Sequence, residues 1–331
     1  MNYEEFKKVV EKEFMDYIPE ELKHLKLNIS PVQRVNETKD AMTFWNPDQT
    51  GWVSPTIYVN DLYERYLELE EYQRVFRKEA EELLKVIKEP PVSFDLDWQN
   101  AKENIVIQLI NTEQNKELLK DMPHREFHDL SIVYRWIVGK DEQGMYSALI
   151  KNDHMMSIGL DEEQLYRVAT ENYTRLFPPV IISMDDFMEE MLMEYDVPEE
   201  VEDMLFPDHA ASAKMWIITN DEKKFGAATM LYDEVLHRVA RRMHSDLFIL
   251  PSSVHETIAV SVNIGDAKAL AEMVNEINMS QVELADRLSN QVYHYDRKTH
   301  KLTMATNTPH KRLDEPADQP QLIKDSVPWR R

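Results

Sequence analysis

The chain has 331 residues, 43% of them hydrophobic, and its formal net charge is −23. This length and apolar content suffice for one large or two smaller globular domains. The negative charge disfavours direct binding to nucleic-acid phosphates or to anionic lipid, because both require positive charge at the contact. The absence of cysteine excludes disulfides, thiolate metal sites and cysteine nucleophiles.

The N-terminal stretch MNYEEFKKVVEKEF is charged from its fourth residue and lacks the apolar centre of a signal peptide. No apolar run approaches the ~20 residues that a membrane-spanning helix needs. We therefore expect a cytoplasmic protein with no membrane contact.

Residues 1–95 are predicted to form an N-terminal α+β region. Apolar spacing indicates a helix at the start, and LKLNISPVQRV, AMTFW and SPTIYV are typical of short strands, with Pro31 favouring an edge position. The segment NDLYERYLELEEYQRVFRKEAEELLKVIK then predicts one long helix, in which Asp61 and Glu64 fit a capping box.

Residues 96–305 are predicted to form a second α+β region. LSIVYRWIVG and GMYSALIKN flank a short polar turn and predict a hairpin, as do QVYHYD and KLTMAT around RKTH. Helices are predicted over DEEQLYRVATENYTRLF, with Asp161 as N-cap, and over AATMLYDEVLHRVARRM and DAKALAEMVNEI. The strands and helices follow one another in mixed order and include hairpins, which favours an α+β fold with largely antiparallel sheets and packed helices.

Residues 306–331 are predicted to be a disordered tail. Four prolines and few apolar side chains follow Thr306, so the segment cannot bury enough surface to offset its chain entropy.

An acidic segment spans residues 176–213, which hold eleven Asp or Glu residues and no Lys or Arg. Its apolar residues keep helical spacing, which is typical of a surface helix with a solvated acidic face. The functional interpretation is that Asp185, Asp186, Glu189 and Glu190 bind a basic protein partner.

Glycine placement excludes the common phosphate-binding loops. The six glycines form no G-x-G pair, so the backbone cannot approach phosphate as in a Walker loop or a dinucleotide fold. G-x-S-x-G and H-E-x-x-H are also absent. No cofactor is predicted.

Several blocks of the chain resemble a known family: SPTIYVNDLYERY, LSIVYRWIV followed by ALIKNDHM, LFPPVIISM, FGAATMLYDEVL and DLFILPSSVHETIAV. They are similar, in this order and over nearly the whole chain except the tail, to the Firmicutes domain-of-unknown-function family 5688. The resemblance implies a bacterial, cytoplasmic protein. It supplies no activity, ligand or catalytic residue.

One metal-binding hypothesis comes from PHREFHD. On a helix, His124 and His128 would share a face beside Asp129, which suits a divalent cation. Pro123 and the following strand leave room for little more than one helical turn, so hydrogen-bonded surface histidines are the alternative.

The motif SSVHE supports two interpretations. Ser253, His255 and Glu256, helped by His154, could be the centre of a hydrolase of unfamiliar type. Alternatively, Pro251 ends a buried strand, Ser253 and Glu256 cap a turn, and a new strand begins near Thr257, because a continuous strand would place Glu256 in the core row. We favour the turn, and with it a non-enzymatic acidic interaction protein over the hydrolase.

Overall fold

The computed structural model describes residues 1–47, 55–88, 98–141, 144–187, 215–308 and 312–314. The chain divides into two compact units, Met1–Leu96 and Asp97–Arg331. Helices and antiparallel sheets occur in both, so the fold is α+β as the sequence predicts. No helix within the described residues is long and apolar enough to cross a bilayer.

The N-terminal unit combines a three-stranded antiparallel sheet with three helices. Its elements are α1 (Tyr3–Tyr17), β1 (Lys26–Gln33), β2 (Thr38–Trp45), β3 (Thr56–Tyr58), α2 (Val59–Leu69) and α3 (Tyr72–Lys88). The strand order is β1-β2-β3, so Pro31 lies on an edge strand, where its missing N–H costs little. Phe6, Phe14 and Phe76 are fully buried in its core.

The prediction of one long helix after β3 is wrong, because the chain forms two helices, α2 and α3, that are separated at Glu70. Glu70 takes a left-handed conformation, with φ 56°, and its N–H donates to the Tyr66 carbonyl at 2.7 Å. No glycine or proline marks the break. The predicted capping box is also wrong: Tyr58 is the N-cap and has no side-chain cap, and the Asp61 carboxylate pairs with Lys39 Nζ at 2.8 Å.

The first sheet of the C-terminal unit is built on the long strand β6. The strands are β4 (Ile105–Asn111), β5 (His124–Phe127), β6 (Leu130–Asp141) and β7 (Gly144–Leu149). β6 pairs antiparallel with the other three, and β6 with β7 is the predicted hairpin. Every residue of β4 is buried, which agrees with its nearly continuous apolar sequence.

The second sheet of this unit has six antiparallel strands in the order β13-β12-β10-β11-β9-β8. The strands are β8 (Pro179–Ser183), β9 (Met215–Asn220), β10 (Leu247–Leu250), β11 (Thr257–Ser261), β12 (Tyr293–Asp296) and β13 (Lys301–Met304). β10 and β11 lie at the centre. β11 begins at Thr257, as the position of Glu256 in the sequence predicts.

The described part of the C-terminal unit also contains the α-helices α4 (Lys116–Leu119), α5 (Asn152–Ile158), α6 (Glu162–Leu176), α7 (Asp233–Met243) and α8 (Ala267–Gln281). Asp161 caps α6, its side chain accepting from the Gln164 N–H at 2.8 Å. A 3₁₀ helix, Gly226–Leu231, precedes α7 where the sequence predicted one longer helix. Both sheets and the helices α5, α6 and α7 share one core around residues such as Tyr173 and Tyr293, whereas α8 packs with Leu250 and Val292 in a second cluster.

Residues 306–308 and 312–314, the described part of the predicted tail, make hydrogen bonds to the C-terminal unit. The Thr306 hydroxyl donates to Gln291 Oε1 at 2.9 Å, and the Thr308 N–H donates to the same oxygen at 2.9 Å. Leu313 is 1% exposed, and its carbonyl accepts from Arg287 Nη1 at 2.7 Å. One leucine and the polar side chains of Gln291 and Arg287 hold this segment despite its prolines. Residues 309–311 and 315–331 lie outside the described part of the chain.

Candidate functional site

The SSVHE corner is held between β10 and β11 by a second stretch of chain. The Val254 N–H donates to the Asp286 carbonyl at 2.8 Å, and the Leu288 N–H donates to the Ser252 carbonyl at 2.9 Å. Ser253 also forms an isolated antiparallel bridge with Arg287. The corner is therefore a paired, rigid connection.

Ser253 is buried, and its hydroxyl is used within the corner. Its Oγ accepts from the His255 N–H at 3.0 Å and bonds the Glu256 carboxylate. The predicted cap paired Ser253 and Glu256 through each other's backbone amides, but in the described structure the N–H that Ser253 accepts from is that of His255, and Ser253 meets Glu256 through its side chain. The chain turns too tightly here for the predicted three-residue spacing.

His255 has both ring nitrogens engaged away from Ser253. Nδ1 accepts from the Phe225 N–H at 3.4 Å, so Nε2 carries the hydrogen and faces Asp286 Oδ1 at 3.2 Å. This hydrogen bond lowers the pKa of Asp286. No hydrogen bond joins the Ser253 hydroxyl to the imidazole in the described structure, so the nucleophile-to-base contact of a hydrolase is missing.

The remaining members of the hydrolase hypothesis have other roles. Burial raises the pKa of Glu256, partly offset by His255 and by the hydrogen bond from Ser253. His154 lies on α5, where its Nδ1 accepts from the Lys151 N–H at 3.2 Å at the start of the helix. Burial lowers the pKa of His154. The sequence thus located the corner correctly, but the hydrogen bonds do not assemble a catalytic centre there.

The proposed metal ligands lie on a strand and a turn, where helical spacing does not apply. His124 begins β5 and its Nδ1 lies 2.9 Å from the Met122 carbonyl, whereas His128 Nε2 lies 3.3 Å from the Leu302 carbonyl. His128 has φ 60° in the turn before β6. Among the described residues, no group of three or more His, Cys, Asp or Glu side chains could hold a metal ion.

Asp129, the third proposed ligand, belongs to a hydrogen-bonded cluster with β12. Its carboxylate accepts from the Ser289 hydroxyl at 2.6 Å and from the Tyr293 hydroxyl. Both donors come from residues more than 150 positions away in the sequence. The carboxylate is used to join the two sheets of the unit.

The acidic segment is described only in part. Asp185 is half-buried and Asp186 is exposed, in a helical turn at residues 184–187, and the Asp186 N–H donates to Ser183 Oγ at 3.1 Å. Glu189 and Glu190 lie outside the described residues. Binding of a basic partner by this segment stays a prediction.

Sequence reasoning missed a cleft lined by arginines. It has a volume of about 660 Å³ and is lined by Glu234, His237, Arg238, Arg241, Arg242 and His244 of α7 and its C-terminus, and by Arg297. We call it the arginine cleft. Its four arginines are joined to no carboxylate by an ion pair within the described structure, although Arg242 lies over the Trp216 ring at 5.1 Å.

In the sequence, an acidic residue at helical spacing from His237 favours a local pair on α7 over a site. Asp233 stands four residues before His237, but its carboxylate instead accepts from the Tyr295 hydroxyl at 2.5 Å and contacts His300 Nδ1 at 2.7 Å. His237 stacks on His300, with ring centroids 4.2 Å apart. The run HRVARR was the available signal, because it is a dense group of cations in a strongly acidic chain.

Comparison with known proteins gives a family and no further assignment. No curated protein and no solved structure matches the chain. One family model, described as a family of unknown function, matches residues 3–297, a range that contains the SSVHE corner and every residue lining the arginine cleft. Because this match covers most of the chain, the protein belongs to the family of unknown function DUF5688.

Proposed function

We propose that this protein is a non-enzymatic binding protein whose ligand is an anion held in the arginine cleft. The observation that carries the proposal is the gathering of four guanidinium groups at one cleft with no ion-paired carboxylate among the described residues. Arginine side chains bind carboxylate and phosphate through paired N–H groups, and they remain charged at any physiological pH.

The composition of the chain makes this grouping informative. Acidic residues number 61 and basic residues 38, so a carboxylate partner is abundant for any arginine on the surface. Neighbouring cations without such partners repel one another, and a bound anion would relieve that repulsion. The cleft is thus a local positive patch on a protein that is otherwise strongly negative.

Stabilisation of α7 accounts for only part of the cluster. Arg241 and Arg242 occupy the last helical turn, where cations interact favourably with the helix dipole by about 0.3–1 kcal/mol. Arg238 lies a turn earlier, and Arg297 comes from the connection between β12 and β13. The dipole does not explain why these two arginines line the same cleft.

The hydrogen bonds of the SSVHE corner favour a non-enzymatic protein over a hydrolase. Ser253 is buried and its hydroxyl already bonds two neighbours, while His255 is held by Phe225 and Asp286. A serine nucleophile needs a base within hydrogen-bond reach, and neither ring nitrogen of His255 faces it.

The test is retention on immobilised heparin, a sulfated polymer that a protein of net charge −23 would otherwise not bind. We expect retention at 50 mM salt and release by about 200 mM, because contacts among exposed charges are screened. Arg238→Ala and Arg241→Ala should each elute earlier. The matched control is Arg167→Ala, an exposed helical arginine outside the cleft.

Passage of the parent protein through the column without retention would contradict the proposal. So would an equal loss of retention in the Arg167→Ala control, because retention would then not depend on the cleft.

A further inference from the structure

We infer that the ligand of the arginine cleft is a small, wholly polar molecule that carries at least two phosphate groups, such as a sugar bisphosphate or a short polyphosphate. This inference rests on the proposed anion binding and adds the chemical class of the ligand.

The size of the cleft sets an upper limit on the ligand. Its volume of about 660 Å³ lies within the range of roughly 300–1,000 Å³ that is usual for small-molecule sites. The part of the ligand that the cleft holds therefore has the dimensions of a metabolite.

The lining favours a ligand without a large apolar or aromatic part. All seven residues that line the cleft are Arg, His or Glu, and no Phe, Tyr, Trp or aliphatic side chain is among those described there. Most small-molecule sites are largely apolar and use only a few polar groups. A lining of Arg, His and Glu side chains fits a ligand that presents phosphate and hydroxyl groups.

The spacing of the cations supports more than one phosphate. Arg238 and Arg242 stand four residues apart on α7, and Arg241 stands three residues after Arg238, which places the Cβ atoms of each pair roughly 5–6 Å apart on the helix surface. Arg297 adds a cation from a different element. A single phosphate can be chelated by one or two guanidinium forks, so four arginines are in excess for it.

Glu234 also lines the cleft and favours a polyol phosphate over bare polyphosphate. A carboxylate repels phosphate but accepts hydrogen bonds from hydroxyl groups. A sugar bisphosphate supplies hydroxyls for Glu234 and phosphates for the arginines. Both ligands share the phosphate chemistry, and the experiment distinguishes them.

A nucleic-acid strand fits this site less well. Single-stranded nucleic acids bind through aromatic side chains on which bases stack, and the described lining of the cleft has none.

The experiment measures binding to the full-length protein by isothermal titration calorimetry at 50 mM salt. The probes are fructose 1,6-bisphosphate, tripolyphosphate, inorganic phosphate and a single-stranded oligonucleotide of about ten nucleotides. We expect the bisphosphate and tripolyphosphate to bind at least tenfold more tightly than inorganic phosphate. A stronger response to the bisphosphate would assign the hydroxyl contacts to Glu234, and Glu234→Gln should then weaken the bisphosphate more than the tripolyphosphate.

The variants connect the binding to the cleft. Arg238→Ala and Arg241→Ala should each weaken both multiply charged probes by about tenfold or more, and Arg241→Lys should bind with intermediate affinity because lysine cannot form the fork. Arg167→Ala should bind as the parent does. Circular dichroism verifies that each variant is folded.

Four results would overturn the inference. Equal affinity for inorganic phosphate and for the bisphosphates would remove the requirement for two phosphates, and tighter arginine-dependent binding of the oligonucleotide would assign a nucleic acid instead. Arginine-dependent heparin retention without any phosphate binding would reject the ligand class and leave the proposed function standing. Absence of binding to every anion would reject both.

Discussion

Leu313 should stabilise the C-terminal unit although it lies beyond residue 306, where the sequence predicts disorder. Its side chain is 1% exposed, its N–H donates to Gln114 Oε1 at 3.2 Å and its carbonyl accepts from Arg287 at 2.7 Å. Leu313→Ala keeps the two backbone hydrogen bonds and removes most of the buried side chain. The substitution therefore isolates the contribution of apolar burial.

We expect Leu313→Ala to lower the free energy of unfolding by about 2 kcal/mol. Complete burial of a leucine side chain stabilises by about 1.5–3 kcal/mol, and core Leu→Ala changes cost about 2–5 kcal/mol where the cavity cannot close. A segment near the chain end can relax into the space, which favours the lower part of that range. For a unit of 150–250 residues, about 2 kcal/mol corresponds to a decrease in Tm of roughly 4–8 °C.

The assay is differential scanning calorimetry of the parent, of Leu313→Ala and of two truncations. Removal of residues 309–331 should lower the Tm by about as much as Leu313→Ala, whereas removal of residues 315–331 should leave it nearly unchanged, because the prolines and sparse apolar residues there predict disorder. An unchanged Tm for Leu313→Ala would refute the reasoning. A decrease caused only by the removal of residues 315–331 would place the stabilising contact further along the chain.

Three further substitutions test the backbone and the SSVHE corner. Gly226→Ala should lower the free energy of unfolding by about 1–3 kcal/mol, as overpacking does, because an added Cβ would lie 2.2 Å from the His255 carbonyl oxygen and 2.3 Å from Thr219 Oγ1. Urea unfolding measures this loss. A free energy of unfolding equal to the parent's would contradict the close approach. Glu70→Gly should raise the stability of the N-terminal unit by about 0.5–1 kcal/mol, because glycine adopts the left-handed conformation at the end of α2 without strain. An unchanged or lower Tm in thermal unfolding would argue against strain at this residue. Burial raises the pKa of Glu256, so the folded state binds the proton of this carboxyl more tightly than the unfolded state does. The contribution of Glu256 to stability therefore falls as the pH rises from 4.5 through the raised pKa of the folded state. Glu256→Gln should therefore be more stable than the parent at pH 7 and gain little at pH 4, and an equal gain at both pH values in urea unfolding would show that the cause is not titration.

The local sequence determined many of the strands and helices that bury one face or both. Strand β4 is apolar at five of its seven positions and is buried throughout, and β1 carries Pro31 at a sheet edge. The start of β11 at Thr257 followed from a single conflict, because Glu256 could not share a row with buried side chains. Such patterns arise from burial against a core, and they are visible in the sequence of each segment alone.

The break at Glu70 and the docking of Leu313 depend on tertiary contacts. No glycine or proline interrupts the helical pattern around Glu70, so only packing within the N-terminal unit required the chain to turn there. Leu313 is one apolar residue among polar ones, and its burial depends on Gln114 and Arg287, which are distant in sequence. Local propensity is a weak constraint when a distant surface is available to pack against.

The arginine cleft was likewise decided by tertiary structure. The sequence shows Arg238, Arg241 and Arg242 close together, but it also shows acidic residues nearby that could have neutralised them. The fold commits Asp233 to Tyr295 and His300 and brings Arg297 to the same cleft. Charge pairing acts over a few ångströms through space, so the partner of a charged side chain is known only when distant parts of the chain have been placed beside it.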